Sequence, residues 1–332
     1  MHRESIVVVT PALALALLEN GANNGNWQTA HRWARMLRSA YRVRLTAQWT
    51  AGDEALMIAL HAQRSATSVA AWRLAHPRRP LLLTLTGTDL YRDIDIDAGA
   101  QQSLALADTL VVLNELGAER LPVALQSKCR VLLQSCPSRQ PLPKTPRHLR
   151  ALMVGHLRDE KDPRSYFRAA QRLAGRPDIL LDHVGAALDP ALGAEAAALA
   201  AAQANYRWLG ALPHAATRRR IQAAHLLVHP SRMEGGAHVV IEAIRSGTAV
   251  LASRIAGNIG LLGEDYGGVF EPGDDAALAT LLERARDDAD MLVRLQRQLA
   301  QRAPLFAPVA ESATLHGLVA ELLDRRTRGT QR

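Results

Sequence analysis

A chain of 332 residues that is 48% hydrophobic and 22% charged has apolar content enough for two folded domains, which excludes wholesale disorder. Two cysteines exclude a disulfide scaffold, and no apolar run reaches the ~18 residues of a membrane span, since residues 12–18 are followed by Glu19 and Asn20. The net charge of +8 invites nucleic acid, but 4% aromatics is too few for a base-stacking platform, and the arginines are scattered without forming one block.

All of the 40 basic residues except Lys128, Lys144 and Lys161 are arginine, a bias that, with so much alanine, reads as codon composition. An anionic small molecule suits the charge as well as a nucleic acid does. Arg3 is followed by no long apolar region and no cleavage site, so a cytoplasmic protein with no membrane contact is expected.

In chain order, residues 6–10 read as a buried strand. The polar Gly/Asn segment 20–26 then leads into a helix with apolar positions Trp27, Ala30, Trp33, Ala34 and Leu37. Strands are predicted over 43–47, 56–60, 81–85, 109–113 and 130–133, with helices over 66–75 and 116–125. Four prolines in the stretch from Cys136 through Pro146 cannot continue a helix or a central strand, and they mark a linker. Beyond it, strands are predicted over 151–154, 179–184, 206–209, 226–228 and 249–252, and helices over 164–173, 191–204, 236–245, 276–301 and 309–323.

Strands alternating with helices imply βαβ units and parallel sheets covered on both faces. The expected architecture is α/β: two doubly wound Rossmann-like domains, residues 1–136 and 149–306, joined by the proline-rich linker 137–148. Ligands bind such sheets at the carboxyl ends of the strands, and two facing domains would share a cleft.

Chemistry concentrates just after two strands. In Val228-His-Pro-Ser-Arg-Met-Glu-Gly-Gly-Ala-His-Val-Val-Ile-Glu-Ala243, the glycines at a helix start let amides approach an anion. Glu234 and Glu242 can accept hydrogen bonds from vicinal hydroxyls, as on a sugar and a ribose. A helix cap with solvated glutamates is the plainer reading of that pair taken alone. In Val154-Gly-His-Leu-Arg-Asp-Glu-Lys-Asp-Pro163, Arg158 and Lys161 suit a diphosphate, one through a planar fork and one as a point charge. A solvated, charged turn explains that segment equally well.

Asp93-Ile-Asp-Ile-Asp97 mimics an Asp-x-Asp metal motif but reads as a polar loop or helix lead-in, and two cysteines leave no zinc site, so neither a metal nor a cofactor is expected. No Gly-x-x-x-x-Gly-Lys, Gly-x-Gly-x-x-Gly after the first strand, or Gly-x-Ser-x-Gly appears, which disfavours NTPase, NAD and serine-elbow chemistry.

Together the two clusters resemble the nucleotide-sugar glycosyltransferases of the two-Rossmann-domain (GT-B) type, in particular their family four. The resemblance includes Gly155 through Lys161, Leu209-Gly210-Ala-Leu-Pro-His214, Ser231-Arg-Met-Glu-Gly235 with Glu242-Ala243, Gly247-Thr-Ala-Val-Leu-Ala-Ser253 and Pro272-Gly-Asp274. Ala249 stands where the family has proline. The resemblance implies that Arg158 and Lys161 hold the donor diphosphate and that Gly210 and Leu212 lie in the loop holding the base. It also implies that Gly235, Gly236 and Ala237 offer amides beside His238, that Glu242 takes the ribose, and that Glu234 takes donor-sugar hydroxyls. Arg158, Lys161 and Glu234 are the residues expected to carry catalysis. The family's C-terminal helix, here 307–332, returns toward the N-domain.

Asn23-Asn-Gly-Asn-Trp-Gln-Thr-Ala-His-Arg-Trp-Ala34, His61-Ala-Gln-Arg-Ser-Ala66 and Thr84-Leu-Thr-Gly-Thr-Asp-Leu-Tyr-Arg-Asp93 narrow this further: they are similar to the selenosugar synthases of selenoneine biosynthesis. That resemblance implies a UDP-sugar, expected to be UDP-N-acetylglucosamine, reacting with selenophosphate to give a 1-seleno-sugar, UDP and phosphate. An enzyme supplying selenophosphate would be its functional partner. The selenium is already a soft nucleophile, so the site needs cations and donors for a phosphate-like group more than a general base. Gly25 and Asn26 are expected at the UDP-sugar and the incoming anion through backbone or amide, with His61, Arg64, Thr88, Asp89 and Arg92 as acceptor-binding candidates. The alternative is an ordinary GT-B glycosyltransferase acting on a hydroxylated small molecule, glycan or lipid.

Overall fold

A computed structural model describes residues 3–11 and 25–329. The apolar run 12–18 and the part of the Gly/Asn segment at 20–24 lie outside the described residues. The chain divides into two units, Met1–Ser135 with Pro308–Arg332, and Cys136–Ala307.

The first unit is built on a six-stranded parallel sheet. Its strands are β1 (Ser5–Val9), β2 (Arg42–Thr46), β3 (Leu56–Leu60), β4 (Leu81–Leu85), β5 (Thr109–Val112) and β6 (Cys129–Val131), in the order β2-β1-β3-β4-β5-β6. The central strands are apolar throughout because both faces are covered, as all-parallel sheets require. Val7, Val9, Met57, Ala59, Leu81, Leu83 and Leu85 point into one core, and Ile6, Val8, Leu56, Ile58, Leu60 and Leu82 into the other. Helices α1 (Gly25–Leu37), α2 (Ala66–Ala75) and α3 (Ala98–Leu106) join the strands. Between β5 and β6 the predicted helix 116–125 is two short pieces, Gly117–Arg120 and Val123–Gln126, because Pro122 interrupts it.

The second unit repeats the plan. Strands β7 (Leu149–Val154), β8 (Ile179–Val184), β9 (Tyr206–Trp208), β10 (Leu226–His229), β11 (Ala249–Ser253) and β12 (Val269–Phe270) form a parallel sheet in the order β12-β11-β10-β7-β8-β9. Its helices are α4 (Pro163–Arg172), α5 (Pro190–Ala202), α6 (His214–Ala223), α7 (His238–Ile244), α8 (Ala256–Leu262), α9 (Asp275–Asp287) and α10 (Ala289–Arg302). The predicted helix 276–301 is α9 and α10, split where Asp288 turns extended and accepts from the Asp290 and Met291 amides. The proline-rich stretch has no regular structure and is tied along this unit, Arg139 N donating to the Arg245 carbonyl and Leu142 N to that of Gln222.

The last helix, α11 (Pro308–Gly329), belongs to the first unit. Leu315, Leu318, Val319 and Leu322 enter the core beneath β1 and β3, each contributing roughly 1.5–3 kcal/mol of burial. Glu311 is buried there with a bidentate Arg32, and it also accepts from Trp33 Nε1 at 2.7 Å and Ser135 N at 2.9 Å. Among the described residues, no helix is long and apolar enough to cross a membrane.

Candidate functional site

In the second sheet the strand order reverses between β7 and β10, which lie side by side. A parallel sheet opens a crevice for ligands at the carboxyl ends of such a pair. After β7 the chain turns through Gly155 into a single 3-10 turn, Asp159–Lys161. His183 supports this turn from the core: Nε2 donates to the Gly155 carbonyl at 3.0 Å, and Nδ1 accepts from the Tyr206 hydroxyl at 3.1 Å. Burial brings that imidazole down to about 4, so it is neutral near pH 7. Gly185, just past β8, is packed so closely that a Cβ would stand 1.9 Å from the Gly155 carbonyl oxygen. Any side chain there would displace the turn.

Lys161 bonds Glu234 Oε1, and His229 Nε2 donates to the same oxygen at 3.1 Å. Burial by itself would raise the Glu234 carboxyl. The Lys161 charge and the bonds from His229 and Lys161 outweigh it, holding the group well below the usual carboxylate range. Among the described residues its other oxygen, Oε2, accepts nothing. The loop carrying Glu234 is braced from behind: Ser253 Oγ donates to the Ser231 carbonyl, and Asn258 Nδ2 donates to that of Ser253 at 3.0 Å. Arg232 N donates to the Glu160 carbonyl at 2.9 Å, tying the two turns together. Gly257 leaves room for this loop, since a Cβ there would stand 1.9 Å from the Glu234 carbonyl oxygen.

Glu242, buried on α7, receives His214 Nε2 at 2.7 Å, with Arg218 at 3.7 Å and His238 Nδ1 at 3.5 Å, all at Oε1. Burial pushes its carboxyl up, but the hydrogen bonds from His214 and His238 and the Arg218 charge bring it to about 2. His214 therefore joins the predicted base loop to the predicted ribose carboxylate. Gly210 turns that loop with φ +66° and accepts from Gly185 N at 2.8 Å, while Leu212 stands half-buried before α6.

One expectation is corrected here. The helix after β10 begins at His238, not Gly236, so Gly235, Gly236 and Ala237 form a loop ahead of a two-turn helix. The amides offered there belong to a loop and not to a helix end. The Arg158 side chain is 45% exposed with Nε 4.0 Å from Glu160, and the Lys161–Glu234–His229 group forms without it.

His229, His214 and Arg218 were not singled out from the sequence. The signal for the last two is a basic pair four apart on α6, one helical turn, facing an acidic residue. That helix was hidden by its three consecutive arginines.

In the first sheet the order reverses between β1 and β3. His61 follows β3 in the left-handed region, φ +74°, which is uncommon for a residue with a side chain. Its buried ring places Nε2 3.1 Å from Thr88 Oγ1, and Nδ1 accepts from the Arg64 amide at 3.3 Å. Burial holds the imidazole below its ordinary value despite Asp89 nearby. Asp89 accepts from Ala62 N, Thr86 N and Gly87 N and is fully buried. Its oxygens are taken by the turn it builds.

Thr88 is partly exposed, Arg64 and Arg92 are exposed, and Gly25 opens α1 beside a half-buried Asn26. The segment 93–97 is the helix lead-in and not the polar loop: Asp93 is buried inside a π-helical turn, Asp89–Asp93, that runs into a short helix. Asp95 pairs with Arg120, and Asp97 caps α3 through the Ala100 amide. Among the described residues, no three His, Cys, Asp or Glu side chains gather as a metal site. The one His-x3-His spacing, His225 and His229, runs along β10, where four residues span about 13 Å.

Residues 137–304, just over half of the chain, match the family described as glycosyl transferases group 1. The chain belongs to that family. No curated protein matches it by sequence. Among solved structures it is similar to a sucrose-phosphate synthase from Thermosynechococcus elongatus, at 16% identity and a TM-score of 0.77 over 97% of this chain and all of that one. Anabaena HepE, solved with UDP-glucose, aligns at 16% identity and 0.70 over 96% of this chain and 100% of its own. The lipopolysaccharide outer core galactosyltransferase WaaB aligns at 13% identity and 0.71 over 96% and 99% of the two chains. At such identities the likeness establishes the GT-B α/β fold of this glycosyltransferase.

Proposed function

We propose that this glycosyltransferase moves the sugar of a UDP-sugar, with UDP-N-acetylglucosamine as the expected donor, onto selenophosphate, giving a 1-seleno-sugar, UDP and phosphate. The observation that carries the donor half is the Lys161–Glu234–His229 group at the strand reversal of the second sheet, inside the residues that match the family. Lys161 and Arg158 would offset the charge of the leaving diphosphate, and the amides of the Gly235–Ala237 loop would add donors. Glu234, kept ionised, offers its open oxygen to sugar hydroxyls, and Glu242 offers its own to the ribose. HepE, crystallised with UDP and glucose, is consistent with this donor class.

The acceptor half rests on the motifs around Gly25, His61 and Thr88 and on the exposed arginines Arg64 and Arg92 beside them. Selenium attacks the anomeric carbon as the bond to the UDP oxygen breaks, and UDP leaves with that electron pair. Water then takes the phosphoryl group from selenium. The reading requires no metal, so turnover should survive chelator. It places the enzyme in the cytoplasm beside an activity that makes selenophosphate.

Purified protein supplied with UDP-N-acetylglucosamine and selenophosphate should release UDP and yield a selenium-containing sugar by mass. UDP release into a hydroxylated acceptor, with none dependent on selenophosphate, would overturn the acceptor.

A further inference from the structure

The group around His61 holds two features that structures rarely keep without a use. One is the left-handed backbone of His61 at the end of β3. The other is Asp93 Oδ2, buried with no hydrogen-bond partner among the described residues, 3.9 Å from His61 Nε2. The π-helical turn from Asp89 to Asp93 is itself a rare device that recurs at functional sites.

The hydrogen bonds determine where the protons are. Because Nδ1 accepts from the Arg64 amide, it carries no hydrogen, and the neutral ring has its proton on Nε2. That N–H donates to Thr88 Oγ1, so the Thr88 hydroxyl cannot spend its own hydrogen on His61. Asp93 is fixed at Oδ1 by Arg92 Nε, 2.9 Å away, and turns Oδ2 toward the Nε2 proton, favouring that tautomer. Asp89 also faces the ring, 4.0 Å from Nδ1, but three backbone amides occupy its oxygens. The charged groups around the imidazole are thus Asp89, Asp93, Arg64 and Arg92.

We propose that Asp93, His61 and Thr88 form a relay that fixes the partly exposed Thr88 hydroxyl as a hydrogen-bond donor to a tetrahedral oxyanion, the phosphoryl group of the acceptor. Thr88 is the binding residue, and Asp93 and His61 are positioning residues. The relay rests on the acceptor reading above. It goes beyond that reading in assigning the direction of each proton and a role to Asp93. A donor aimed outward discriminates for anions, since a neutral hydroxyl acceptor must hydrogen-bond without the charge assistance.

The tests separate this relay from the overall reaction. In substrate-free protein, nitrogen-15 NMR should find His61 protonated at Nε2, with the preference relaxed in Asp93→Asn. A ring protonated at Nδ1 overturns the relay. Inorganic phosphate, titrated as a probe, should bind Thr88→Val about 10- to 100-fold more weakly than wild type, with Thr88→Ser restoring affinity and Asp93→Asn falling between. KM for selenophosphate should rise in the same order while KM for the UDP-sugar stays put. Equal phosphate affinity in wild type and Thr88→Val overturns the relay. Phosphate binding that depends on Thr88, without turnover of selenophosphate, overturns the reaction and leaves the relay standing.

Discussion

Each unit buries a glutamate against basic and polar donors, and the two are used differently. Glu311, in the first unit, has both oxygens filled: Arg32 grips it from two nitrogens, Trp33 donates to Oε1, and Ser135 donates to Oε2. Glu234, in the second, gathers Lys161 and His229 on Oε1 alone. The first carboxylate has nothing left to offer a ligand and serves to seat a helix. The second is kept ionised by fixed donors, and among the described residues its Oε2 accepts nothing. Saturation therefore tells these two buried charges apart better than burial does.

The largest effect that can break this contrast is on stability. Glu311→Ala should destabilise the protein by roughly 3–5 kcal/mol, because Arg32 and the Ser135 amide lose a buried acceptor; urea unfolding measures it, and a loss near zero would remove Glu311 from the structural class. Lys161→Ala should lower kcat about 100- to 1,000-fold, as removal of one fixed stabilising charge does elsewhere, read as UDP release with the far-UV spectrum unchanged. A wild-type rate would reduce the Lys161–Glu234 pair to a structural role as well.

Glu242 sharpens the comparison, because among the described residues His214, Arg218 and His238 all meet it at Oε1. Glu242→Ala should weaken UDP binding about 10- to 100-fold by calorimetry. The smallest effect is on pH dependence. The Glu242 carboxyl is depressed to about 2, so its stabilising contribution is complete above its ordinary value near 4.5 and is lost as pH falls toward 2. Wild type should therefore lose about 1–2 kcal/mol more than Glu242→Gln between pH 6 and pH 3. A parallel loss in both would mean that Glu242 is not held ionised by its neighbours.

Most of the sheets were legible from the sequence because both of their faces are buried and the strands are mostly apolar runs. The predicted strands 56–60, 81–85 and 179–184 coincide with β3, β4 and β8. What failed was short or polar. The two-residue β12 has no pattern to read, α8 is glycine-bearing, and α6 is dominated by arginine. At the site, the segments after β7 and β10 were legible because glycine and charge punctuate them.

Partnerships within those segments were not legible. Nothing in spacing says that Lys161 reaches Glu234, 73 residues on, or that Asp89 and Asp93 differ. Four residues apart in one turn, one aspartate is saturated by backbone amides and the other, among the described residues, keeps an oxygen unmet.

The return of α11 to the first unit has a consequence for biogenesis. As the ribosome extends the chain, the first unit's sheet is complete once β6 has emerged, yet Leu315, Val319 and Glu311 arrive only after the entire second unit has been made. Until then the face of β1 and β3 that they cover stays open, and the Arg32 guanidinium waits for its carboxylate. The intervening unit, contiguous in sequence, can close on its own first. Vectorial synthesis thus favours completing the second unit before the first, and the nascent first unit is where a chaperone would be needed.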